Sequence, residues 1–134
     1  MAGIKGIEGI GDTYGERMKA LGIRSKAALL KAGATKKGRV ELAAKSGISE
    51  KLILEWVNRA DLYRVKGIGT QYADLLENAG VDTVVELAGR KAENLVEKMK
   101  QVNAEKNLVR LLPALSKVQT WIAEAKKLPR AVTY

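Results

Sequence analysis

Apolar residues recur at helical spacing along most of the chain. Tyr72, Leu75, Leu76 and Ala79 fall at i, i+3, i+4 and i+7, and Leu52, Ile53, Trp56, Val57 and Ala60 form a second stripe of the same kind. Such stripes turn one face of a helix toward a core. Thr35, Ser49, Thr83 and Ser116 stand where helices should begin, since a short hydroxyl can accept from an amide one turn on. Thr83 with Glu86 and Ser116 with Gln119 also have capping-box spacing. Gly22, Gly33, Gly47 and Gly80 stand where helices should stop. Together these signals predict helices near 12–21, 25–32, 36–46, 50–63, 70–79, 83–89, 93–103, 105–112 and 116–127. No segment alternates as a strand does, so the expected fold class is all-α.

The pattern is written twice. Ile7-Glu8-Gly9-Ile10-Gly11-Asp12-Thr13-Tyr14 returns 58 positions later as Val65-Lys66-Gly67-Ile68-Gly69-Thr70-Gln71-Tyr72. At the same offset Gly22-Ile23 meets Gly80-Val81, Ser25 meets Thr83 and Leu29 meets Leu87. Trp56-Val57 then answers Trp121-Ile122 at an offset of 65, which implies seven residues inserted in the second copy. The expected division is therefore 1–64 and 65–134. Trp56, Trp121, Tyr14 and Tyr72 lie on repeated apolar stripes and are expected in the core.

Composition narrows the chemistry. Apolar residues make up 46% of 134, enough for a core, and with no Phe that core must be mainly Leu, Ile, Val and Ala. Cys and His are both absent, which removes disulfides, thiolate nucleophiles, the usual zinc ligands and the commonest general base. Asp12 with Glu16, and Asp82 with Glu86, are paired carboxylates better read as charges complementing helix starts. No catalysis, metal or cofactor is expected. There is no apolar run long enough for a bilayer or a secretory signal, so the reading is a cytoplasmic monomer with no membrane partner.

Lys and Arg number 24 against 15 Asp and Glu, a net charge of +9 that suits a polyanion. Residues 1–64 hold thirteen basic and seven acidic side chains and are the more positive half. The densest basic cluster is Lys36-Lys37-Gly38-Arg39, read either as a phosphate clamp beside Gly47 or as a solvated helix end.

Each Gly-Ile-Gly turn leads directly into an amphipathic helix. Glycines allow a sharp turn with positive φ and leave amides uncovered at a helix start, where the dipole favours an anion such as phosphate. These residues, Ile7 to Gly11 and Val65 to Gly69, resemble the helix-hairpin-helix superfamily. The resemblance implies a SAM-like all-α fold whose hairpins hold DNA phosphates without base specificity, through the amides of Gly9, Gly11, Gly67 and Gly69 and the residues after them. Ser46-Gly47-Ile48-Ser49-Glu50 resembles the variant hairpin that often completes a paired unit, whereas its counterpart near Leu112 to Ser116 has no glycine. The whole chain, over roughly residues 4–130, is also similar to a bacterial family of unknown function that carries two such units.

The two hairpins differ in charge. Glu8 and Asp12 flank the first and would repel a phosphate, while Arg64, Lys66 and Thr70 border the second, which is therefore the better grip. The expected function is non-specific binding of duplex DNA. The alternatives are a protein–protein adaptor on the same scaffold, or hairpins that serve only as packing units. Hairpin 65–72 has helix 50–63 before it, but hairpin 7–14 has only six residues. Helix 116–127 is therefore expected to pack against the first hairpin and close the chain into one pseudo-two-fold body.

Overall fold

The computed structural model of the protein describes residues 10–134. Among them are eight α-helices and no strand: α1 (Gly11–Ala20), α2 (Lys26–Ala32), α3 (Lys36–Ser46), α4 (Glu50–Leu62), α5 (Thr70–Asn78), α6 (Val84–Ala88), α7 (Ala92–Lys106) and α8 (Leu115–Lys127). None of these is long and apolar enough to cross a membrane.

Local chemistry explains most boundaries. The hydroxyls of Ser25, Thr35, Ser49 and Thr83 accept from the amides of Ala28, Gly38, Leu52 and Glu86 at 3.0–3.3 Å. The ends of α1 and α5 are built alike: Gly22 and Gly80 take φ of +83° and +94°, and the amides of Ile23 and Val81 donate to the carbonyls of Met18 and Leu76. Ser116 does not mark a helix start. Ala114 holds that position, and the Ser116 carbonyl accepts from the Thr120 hydroxyl one turn on. Burial of Val118, Trp121 and Ile122 fixes α8 without a side-chain cap.

The two helices expected at 93–103 and 105–112 are one helix, α7, followed by an irregular segment over 107–114. Asn107 ends α7 in the left-handed region at φ +50°. The Asn103 side chain then donates to the Val109 carbonyl and accepts from the Val109 amide, holding the chain in a non-helical course. Pro113 further disfavours a helical Leu112. The leucines at 108, 111 and 112 have helical spacing, but these contacts outweigh it. The insertion in the second copy lies here: α7 has 15 residues against 11 in α3, and 107–114 replaces the short turn 47–49.

The chain divides into two compact units, one of residues 1–61 with 131–134 and the other of residues 62–130. The boundary falls three residues before the expected one, and residues 131–134 belong with the first copy. Unit 1 buries Met18, Leu29, Leu42, Ile53, Trp56 and Val57. Unit 2 buries Leu62, Leu75, Leu76, Leu87, Met99 and Trp121, with α8 packed on α6 and α7. Burying side chains of this size stabilises each unit by about 1.5–3 kcal/mol per residue.

The repeat is structural as well as sequential. The Tyr14 and Trp56 rings lie 5.3 Å apart at 51° in unit 1, and Tyr72 and Trp121 lie 5.3 Å apart at 56° in unit 2. The tryptophan beside Tyr14 is thus Trp56 of its own copy. Within unit 2, helix α8 brings Trp121 to Tyr72 in the same way.

Candidate nucleic-acid interface

The second glycine turn is described in full. The amide of Val65 donates to Leu62 and that of Ile68 to Val65, so the chain leaves α4 in two tight turns. Gly67 has φ +92°, a conformation that would strain any side chain. A Cβ there would also come within 3.1 Å of the Trp121 indole nitrogen and 3.7 Å of Lys117 Cε. Gly69 is extended and precedes the first residue of α5. Between them Ile68 is 4% exposed, an anchor that leaves both glycines on the surface. The first amides of a helix have no intrahelical acceptor. At the start of α5 lies a shallow depression of about 350 Å³ lined by Gly67, Gly69, Thr70, Gln71 and Tyr72.

Charge gathers around this turn from two directions. The Lys66 side chain is exposed at the turn itself, and Lys117 reaches Gly67 from α8. The Lys66 amide donates to Glu124 Oε2 at 3.2 Å, so a carboxylate of the protein already rests on one amide of the turn. Arg64 is half-buried and donates to the Pro129 carbonyl at 2.9 Å, which makes it a strut for residues 128–130. Sequence reasoning missed Lys117 and Glu124. The repeat held a clue, because at its offset of 65 a lysine replaces Leu52 and a glutamate replaces Arg59.

In unit 1, Gly9 lies outside the described residues. Ile10 is buried and Gly11 opens α1 at φ +64° with open space around it. The third turn has Gly47 exposed at φ +73°, capping α3. Ser46 donates to the Leu42 carbonyl and accepts from the Ile48 amide. The Arg17 guanidinium lies 4.0 Å from where a Gly47 Cβ would stand.

The basic cluster at 36–39 is split by the fold. Lys36 pairs with Glu50 at 2.9 Å, and Lys37 is exposed. Gly38 is a packing residue, since a Cβ would collide with the Ala32 carbonyl where α3 starts beside the end of α2. Arg39 corrects the expectation of a phosphate ligand. It is 2% exposed, donating to the Gly33 carbonyl at 2.8 Å and the Thr133 carbonyl at 2.7 Å. Its charge is used inside the unit and is withheld from the surface.

Asp82 and Glu86 sit at the start of α6, where Arg90 joins the Gly80 carbonyl at 2.9 Å and Glu86 at 3.3 Å. Desolvation, with the nearby Glu86 charge, holds the Asp82 carboxyl above its ordinary value, against the pull of Arg90. Among the described residues no three potential metal ligands lie together.

No curated protein and no solved structure matches the chain. The model of the family described as "Domain of unknown function (DUF4332)" matches residues 8–128, and the chain belongs to that family.

Proposed function

We propose that the protein is a tandem helix-hairpin-helix protein that holds duplex DNA by its phosphate backbone, without catalysing a reaction on it. The observation that carries this reading is the turn 65–69. Its two exposed glycines are held by a buried Ile68 at the start of α5, with Lys66 and Lys117 alongside. Backbone amides and lysines position a phosphate but read no base edge, so binding is indifferent to sequence. The docking of Glu124 on the Lys66 amide is consistent with a turn that attracts anions.

Anisotropy titration of mixed-sequence duplex at two salt concentrations tests this. With four to six phosphates neutralised, the log-log slope of affinity on salt is roughly −4 to −5. A flat titration at low salt removes the DNA reading and leaves the protein–protein adaptor.

Glu124 supplies a second test. Its carboxylate stands where phosphate oxygens would approach, so Glu124→Gln keeps an acceptor for the Lys66 amide while removing a like charge. Duplex binding is expected to tighten about twofold, the scale of one exposed charge interaction. Weaker binding by this variant would mean that Glu124 matters for holding the turn rather than for repelling the ligand.

A further inference from the structure

Unit 1 has an open groove of about 540 Å³, lined mainly by carbon and bordered by Lys36, Arg39, Glu50, Lys51, Leu54 and Tyr134. Tyr134 is 68% exposed. It is nevertheless held on several sides. Its hydroxyl donates to Asn58 Oδ1 at 3.4 Å, and Asn58 is buried. Arg39 lies with its guanidinium carbon 5.8 Å from the ring centre, and two carbonyls pin that guanidinium. The preceding residues are fixed as well, by burial of Val132 and by the Thr133 amide donating to the Ala34 carbonyl at 2.8 Å.

An aromatic ring that is exposed yet fixed, with a buried cation near it, is a stacking platform. Lys36 neutralises Glu50 at 2.9 Å, and the exposed Lys51 leaves the groove positive. We propose that this groove binds an unpaired nucleotide of a single strand, with the base stacked on the exposed face of Tyr134 and a flanking phosphate at Lys51. Every base offers a π-face, so such stacking tolerates any sequence. Duplex bases have both faces covered by neighbours and cannot use the ring. An acidic peptide could meet the lysines but would place nothing flat against Tyr134. The site lies in unit 1 and does not depend on the hairpin at 65–72.

The test uses the full chain and a short fluorescent oligothymidylate. Tyr134→Leu should weaken binding about tenfold, the scale of one base–aromatic stack. Because stacking involves no counterion release, that factor should be the same at low and high salt. Tyr134→Phe should restore most of the affinity, and Lys51→Ala should flatten the salt slope by about 0.7. An iodouracil-substituted oligonucleotide should photo-crosslink to Tyr134, read by mass spectrometry, while duplex binding is unchanged in Tyr134→Leu. Undiminished oligothymidylate binding by Tyr134→Leu, or a crosslink confined to other residues, overturns the proposal. Displacement of the oligothymidylate by polyglutamate but not by thymidine nucleotides would assign the groove to an acidic protein partner instead. Loss of duplex binding alone would count against the hairpin reading and leave this one standing.

Discussion

Replacing Lys66 and Lys117 together by Glu is expected to lower affinity for mixed-sequence duplex roughly thirtyfold at low salt and to flatten the salt slope by about 1.8, or 0.9 for each lost phosphate contact. Both side chains stand beside Gly67, one at the turn and one from α8, so their reversal places two negative charges where the α5 start would draw an anion. Neither side chain is buried, and the melting temperature should hardly move. Arg64 makes a less clean probe, because its bond to the Pro129 carbonyl would be lost with its charge. Glu8→Lys, at the first hairpin, should change binding less than the double reversal. Parental affinity in a folded double variant would remove turn 65–69 from the interface and leave Lys36 and Lys37 as the remaining basic candidates.

The helices were legible because their signals are local. A hydroxyl that caps an amide three residues on, or a glycine that turns left-handed, acts within one turn of chain, and Ser25, Thr35, Ser49, Thr83, Gly22 and Gly80 all do so. The repeat was legible for the same reason, and the matched Tyr–Trp pairs show that it extends to packing. Contacts between distant residues were not legible. Segment 107–112 has the leucine spacing of a helix, but left-handed Asn107, the pairing of Asn103 with Val109 and the following Pro113 hold it open. Lys117 reaches Gly67 across fifty positions of sequence, with a single break in the repeat to hint at it. Arg39 misled most, because an arginine after two lysines has every surface signal. Its burial depends on a carbonyl 94 residues away.

That burial leads to the largest expected effect on stability. Arg39→Ala removes the donors to the Gly33 and Thr133 carbonyls and the cation beside Tyr134. Hydrogen bonds to a charged group are worth about 1.5–3 kcal/mol each, and some loss is recovered as water reaches the partly buried Thr133 carbonyl, so unit 1 should lose about 2–4 kcal/mol. Arg39→Lys should rescue little, since one ammonium on a flexible stem does not reproduce the fork that spans two carbonyls. Leu95, the fourth residue of α7 as Arg39 is of α3, is buried without any such bond, so the second unit has no matching dependence. Hydrogen exchange should therefore quicken at Thr133 and along α3 in Arg39→Ala while α7 keeps its protection. A surface phosphate ligand would behave in the opposite way, with stability unchanged and duplex affinity reduced. That outcome would return Arg39 to the interface and release residues 131–134 from its guanidinium.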